Sequence, residues 1–405
     1  VERLPFSAGA TLALAWALCA LTGASQERLS LDFADLRRAL TSGATMRRPA
    51  QTAPSSLDAE AALTLAEKSP GVLERPAAAT RPSLGEVSPE AGVQQAYELA
   101  RGGHGSEAVA MIEAVLIDAP QFRPALSLQG LLAAEWTQAA ADADDDRPPA
   151  RRLQPPQALT EENALRWAAQ RHRATYQQQV PSNLLQLGPE VHTVLAADLA
   201  ESRLYWLSHD QRGLWLRNDY YLSTGMRGSY KQNPGDQRTP IGIYALQHRL
   251  PDSMLPALAG HAAWPLAFPN RWDQWQGHLG SGIWLHGSAP GQYDGLPHST
   301  NGCLALSNGD IDRLATELAS AGTILLVAEH LDWITPANLR QRRSSALQRL
   351  QARGGAAAQP AAGDSLYAYP GEPELLLVRR ADGSAHPQDQ FWPSGALESL
   401  PSAHS

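Results

Sequence analysis

The sequence predicts a multidomain α+β chain: a mostly β sandwich domain preceded by a small α-helical block. Three observations carry this. From Val191 onward, short apolar runs of strand character alternate with Gly- and Pro-containing turns, and one helical stretch interrupts them. Between residues 88 and 136, apolar residues recur at spacings of three and four instead. Ahead of both lies a stretch rich in Ala, Ser, Pro and Thr, the composition of a tether. A length of 405 residues accommodates two to three domains. The net charge of −8 argues against a general polyanion binder, so no nucleic-acid partner is expected. With 43% hydrophobic and 18% charged residues the chain has enough apolar material for packed cores.

Residues 1–24 read as a signal peptide or an uncleaved anchor. An uncharged apolar stretch, 5–24, follows Arg3, and the small residues Gly23, Ala24 and Ser25 suit a signal peptidase. The expected location is therefore outside the cytoplasmic membrane, in the periplasm or cell envelope. Cys19 lies inside this stretch behind Leu18, not behind the small residue a lipoprotein signal needs. Removing it leaves Cys303 as the lone thiol of a mature chain, unable to form an internal disulfide. Residues 25–87 form the flexible linker, with Pro at 49, 54, 70, 76 and 82.

The helical block, 88–136, opens at Ser88-Pro89, a capping residue followed by Pro at the first helical position. Helices are expected over 89–101, 106–118 and 124–136, with Ala96, Leu99, Ala100, Ala108, Ile112, Val115 and Leu116 on the apolar side. Glu107-Ala108 and the closing Asp118-Ala119-Pro120 make this block resemble a tetratricopeptide-type helix pair, but it stops short of three repeats. It reads equally as a cap on the next domain or as a surface for a protein partner. Residues 137–190 comprise a linker and a connector helix over 158–179. Asp142, Asp144, Asp145 and Asp146 lack the Gly turn and distal Glu of a calcium loop.

The domain from 191 to 329 has strand-like runs at 193–199, 203–208, 214–224, 241–248, 282–287, 302–307 and 323–328. Its one helix is expected to be capped by Asn308 or Asp310, striped by Ile311, Leu314, Ala315 and Leu318, and ended by Gly322. Residues 330–405 read as a C-terminal helix and a small β extension. The basic helix starts at Thr335-Pro336; a hairpin over 365–380 and an aromatic anchor at Phe391-Trp392 follow. Its arginines read as a solvated face, as do Arg227, Lys231, Arg238 and Arg271 for the most part.

The chemistry gathers in three segments, KQNPGDQRTPIGIY at 231–244, GIWLHGS at 282–288 and HSTNGCLALSN at 298–308. His286 ends one strand and Cys303 opens another, so both can meet at one rim of the sheet. A thiol acts as a nucleophile near neutral pH when a base or a positive field activates it, and a neighbouring His supplies both. Gly302 permits close backbone approach, and the Cys303 amide with a neighbouring N–H can hold an oxyanion. The competing reading of Cys303 is a buried, inert residue.

The order His–x13–Thr–x–Gly–Cys, preceded by Gly-Asp-x-x-Thr-Pro-x-Gly-x-Tyr, resembles the catalytic domain of the L,D-transpeptidases of the YkuD type over roughly 191–329. The resemblance implies a β-sandwich enzyme acting on peptidoglycan stem peptides, with Cys303 as nucleophile and His286 as base. It implies no cofactor and no metal. Asn301, Gly302, Gly287 and Thr300 are the expected oxyanion or substrate-binding positions. Gly235, Asp236, Thr239, Pro240, Gly242 and Tyr244 match the structural motif. Asn301 stands where the family usually has a second His, and Ala305 where many members have Arg. Hydrolysis of stem peptides and a non-catalytic scaffold are the alternatives to transpeptidation. His298 is a second candidate base, and a zinc site from Cys303, His286 and His298 has no supporting motif. Asp236 and Asp294 look like turn residues. Trp264, Trp272, Trp275 and Trp284 read either as a wall for substrate or as loop packing.

Overall fold

A computed structural model describes residues 88–142, 157–318, 323–381 and 388–393. The apolar amino end and the tether lie outside the described residues, as does Gly322. No helix among the described residues is long and apolar enough to cross a membrane.

Four helices open the described chain: α1 (Pro89–Arg101), α2 (Gly105–Asp118), α3 (Arg123–Asp142) and α4 (Gln157–Tyr176). Ser88 caps α1, its hydroxyl accepting from the Ala91 amide at 3.3 Å, and Pro89 fills the first helical position. Ala96, Ala108, Ile112 and Val115 close the block's core with Phe122 and Leu128. α3 continues to Asp142, beyond the expected 136, because Ala and Gln after Trp136 favour helix.

The β region is layered, and beside its larger sheets lie the short pair β1 (Val180–Pro181) and β13 (Trp333–Ile334), the strand β6 (Thr224–Gly225) and helix α5 (Arg271–Trp275). A five-stranded sheet has the order β5 (Gly213–Tyr221), β4 (Arg203–Asp210), β3 (Thr193–Asp198), β12 (Thr323–Ala328) and β7 (Gly242–Ala245). β3 and β12 run parallel and the other pairs antiparallel. Every residue of β12 is buried, the signature of a strand covered on both faces. One face (Leu195, Ala197, Leu325, Val327) packs on β8 (Ala263–Pro265), β9 (Trp284–His286), β11 (Leu304–Ala305) and helix α6 (Asn308–Ala315). The other face (Val194, Ala196, Leu326) packs on a four-stranded sheet, β16 (Gln388–Trp392), β15 (Leu376–Arg380), β14 (Ser365–Ala368) and β2 (Leu184–Gln186). The outer face of that sheet, with Leu366, Leu376 and Val378, meets Ala346 and Leu350 of helix α7 (Pro336–Ala358).

Three differences from the sequence reading follow. The C-terminal extension recruits β2 as its fourth strand, and Phe391-Trp392 is a strand rather than an isolated anchor, its two rings on opposite faces. The cap of α6 is Ser307, whose hydroxyl accepts from the Asp310 amide at 3.1 Å; Asn308 is thereby released for another task. The basic face of α7 is partly engaged, since Arg343 binds Gln186 and Arg353 donates to the carbonyls of Glu374 and Trp392.

Candidate active site

The three-stranded sheet places the site. β11 pairs in parallel with β9, Ala305 opposite His286 and Leu304 opposite Leu285. Cys303 precedes Ala305 by two residues, so the strand period puts it on the face that carries His286 and Trp284. Leu285 and Leu304, on the other face, are buried in the core, which keeps the reactive face turned outward. Cys303, His286, Trp284 and Ala305 all line one cavity of about 320 Å³, with Asn301, Thr300, Gly287 and Ser223.

The strand carrying the thiol is held by bonds that only this local sequence supplies. Gly302 has φ +114, and a Cβ there would stand 2.5 Å from the Arg238 carbonyl oxygen. The Thr300 hydroxyl accepts from the Gly302 amide at 3.1 Å and donates to the Cys303 carbonyl at 2.7 Å. Thr239, from the Gly-Asp-x-x-Thr-Pro motif, donates to the Gly302 carbonyl at 3.2 Å and accepts from Gly225 at 2.9 Å. The earlier motif therefore braces the nucleophile's neighbour from below.

Electrostatics favour a neutral resting pair. Burial pushes the Cys303 thiol up, opposed by the Trp284 amide and the charge of Lys231. The thiol donates to the Gly282 carbonyl at 3.5 Å, as a protonated sulfur does. Burial pushes His286 down, opposed by its bond to Gly287. Its Nδ1 lies 2.6 Å from the Gly287 carbonyl, which can only accept; Nδ1 carries the proton and Nε2 keeps its lone pair.

The expected oxyanion donors divide. The Gly302 amide is taken by Thr300, and the Gly287 amide by the carbonyls of Ala259 and Ala262 at 3.0 and 3.2 Å. The Thr300 hydroxyl is likewise committed. These bonds shape the backbone, and Gly287 and Thr300 also line the cavity. Asn301 also lines the cavity, and its side-chain carbonyl oxygen accepts from Gln237 at 3.2 Å. His298 is exposed, bonded through Nδ1 to Thr224 at 2.9 Å, and is not among the cavity-lining residues. Among the described residues no cluster of three or more His, Cys, Asp or Glu is arranged to hold a metal.

Residues the sequence reading passed over also act here. Asn308 ties three backbone groups together, accepting from the amides of Ser288 and His261 at 3.1 Å each and donating to the Ser288 carbonyl at 2.9 Å. Its position at a helix start is the one sequence signal it gave. Lys231 is buried, not a surface charge, and pairs with Asp236 at 2.8 Å. Asp236 is a turn residue as expected, and its carboxylate caps the amides of Gln232 and Asn233. Asp294 is not one: it is buried against Arg166 at 2.7 Å. Of the tryptophans, Trp264 and Trp272 pack in cores, Trp275 stacks on Trp272 at 4.7 Å, and Trp284 forms cavity wall.

A search of curated proteins finds no match to the chain. Among solved structures the chain is similar to Bd1075 of Bdellovibrio bacteriovorus, at 20% identity and a TM-score of 0.41, over 53% of this chain and 88% of that one. It is also similar to the helical cell shape determining protein Pgp2 from Campylobacter jejuni, at 15% identity and a TM-score of 0.39, over 53% and 88% of the two chains. The model of the L,D-transpeptidase catalytic domain, YkuD, matches residues 192–327, the stretch that holds both Cys303 and His286. Residues 192–327 of this chain are therefore a YkuD-type L,D-transpeptidase catalytic domain.

Proposed function

We propose that the protein is an exported, cysteine-dependent L,D-transpeptidase of peptidoglycan stem peptides. The observation that carries this is the placement of Cys303 and His286 on one face of the β9–β11 pair, in one cavity, with His286 Nε2 unprotonated. The family to which the domain belongs acts on such peptides, and the cavity is of a size for an extended peptide end.

The chemistry follows from the resting protonation states. Cys303 starts as a thiol and His286 as a neutral imidazole, so Nε2 removes the thiol proton as sulfur attacks. The carbonyl attacked is that of the amide joining an L-centre to the terminal D-residue of a tetrapeptide. Its oxygen becomes an oxyanion, for which the side-chain amide of the cavity-lining Asn301 is the candidate donor. Collapse breaks the C–N bond, the imidazolium returns its proton to the departing amine, and a thioester remains on Cys303. An amine of a neighbouring stem then attacks the thioester, losing its proton to His286, which restores the thiol.

Incubating the mature protein with purified sacculi and reading the muropeptides by mass spectrometry tests this. New cross-linked dimers, absent with Cys303→Ala, are expected. Stems shortened with labelled water oxygen in the new carboxylate would make the protein a hydrolase instead. Turnover by Cys303→Ala close to wild type would remove the thioester mechanism altogether.

A further inference from the structure

One wall of the cavity is the segment 287–297, which links β9 to β10 (His298–Thr300) and contributes Gly287, Ser288, Ala289, Gln292 and Gly295. Its first half is held within the catalytic domain. Asn308 grips Ser288, and the Ser288 hydroxyl lies 3.1 and 2.9 Å from the carbonyls of Gln292 and Tyr293. The second half is held from outside that domain. Arg123, at the start of α3, donates to the carbonyls of Asp294 and Gly295 at 2.6 Å each. Arg166 of α4 binds the Asp294 carboxylate at 2.7 Å, and Phe122 meets Tyr293 with ring centroids 4.9 Å apart.

Arg166 is itself fixed. It pairs with Glu162 at 2.6 Å and with Glu90 of α1 at 2.8 Å, and lies 3.4 Å over the ring of Tyr221 in β5. Glu90 continues the network to Arg203 of β4 at 2.8 Å. Charge-assisted bonds from a planar fork to two successive carbonyls specify position more sharply than apolar contact does. There is little slack where they act: a Cβ on Gly295 would stand 2.5 Å from the Ser223 hydroxyl and 2.7 Å from that of Ser299. Ser223 lines the cavity, and its buried hydroxyl has no hydrogen-bond partner among the described residues.

We propose that the helical block is a positioning device for the cavity, in which Arg123 and Arg166 hold residues 293–295 in the shape that receives the donor peptide. The donor's identity rests on the function proposed above; the holding of the segment does not. Arg123, Arg166 and Asp294 are positioning residues. His286, on β9, and Cys303, just before β11, keep their places without them.

The test uses the full chain with Arg123→Met and Asp294→Asn, the first at a partly exposed residue whose loss the fold should survive. Hydrogen exchange of amides 289–297 is expected to accelerate at least about tenfold, with β3 and β12 unchanged. Alkylation of Cys303 by iodoacetamide should stay within about twofold of wild type, because a small probe needs no shaped wall. On tetrapeptide substrate KM should rise about tenfold or more while kcat holds within about threefold. Unchanged exchange and unchanged KM would overturn the proposal. So would exchange that accelerates equally in β3 and β12, which would make the block a general stabiliser. A wild-type protein that turns over no peptide would defeat the functional reading, while the exchange experiment would still judge the clamp.

Discussion

Substituting Gly302 by Ala separates two costs that usually arrive together. The residue has φ +114, where a Cβ is strained, and an added Cβ would also meet the Arg238 carbonyl oxygen at 2.5 Å and Ile283 Cδ1 at 3.1 Å. Gly213, the first residue of β5, supplies the control: its φ is +98, but nothing lies within 4 Å of its added Cβ. Gly213→Ala should therefore cost only backbone strain, about 1–3 kcal/mol. Gly302→Ala carries that strain plus overlap with a backbone oxygen that cannot rotate away, another roughly 1–3 kcal/mol. Urea unfolding followed by circular dichroism reads both, as shifts in midpoint at constant slope. Gly302→Ala should also slow Cys303 acylation, because the Thr300 and Thr239 bonds that set the thiol converge on residue 302. Equal destabilisation by the two substitutions would refute the claim that close approach, rather than dihedral freedom alone, requires Gly at 302.

Three more outcomes are expected. Because burial pushes the Cys303 thiol up, the rate of its alkylation should rise with pH to a midpoint above the ordinary thiol value of 9.0, and a plateau reached below pH 8 would contradict the neutral resting pair. Asn308→Ala removes three bonds around Ser288 and His261 and should cost about 1–3 kcal/mol in urea unfolding, with a larger proportional loss of turnover. Burial alone would raise the Glu90 carboxyl, but Arg203 and Arg166 outweigh it and bring it from 4.5 down to about 2. With the folded value below the unfolded one, the contribution is complete above about pH 4.5 and is lost as pH falls through about 2. It amounts to about 3 kcal/mol, so the acid loss of stability over that window should shrink in Glu90→Gln.

Much of the fold was legible because it is local. The run Ile324–Ala328 is apolar throughout, which only a strand covered on both faces tolerates, and Ser88-Pro89 announces α1. What covers that strand was not legible. β2 and β14 lie far apart in sequence, and their alternating apolar residues say which face is buried but not against which partner. The site divides in the same way. Gly302-Cys303 and His286-Gly287 stand out as reactive groups beside glycines, whereas the register that sets them on one face is a property of pairing. Reading Lys231 as a surface charge followed the base rate for lysine, and only Asp236 folded back over it makes burial affordable.

Asp294 shows where such reading stops, and why the network around it matters. Tyr293-Asp294-Gly295 has the composition of a turn, and nothing nearby hints at partners 128 and 171 residues away. A buried ion network is weak grounds for stability, since an apolar seam of the same volume often serves as well. Its distinguishing property is direction. An apolar seam between α3 and the segment 287–297 would tolerate a slide of an ångström or two. The Arg123 fork does not, because its two donors must face the carbonyls of Asp294 and Gly295 together, while Arg166 is already committed to Glu90 and Glu162. Two arginines, from α3 and α4, thus converge on a segment that walls the cavity next to the thiol, braced by Glu90 of α1 and Glu162 of α4. That arrangement suits a wall whose position, more than its stability, decides what peptide the site accepts.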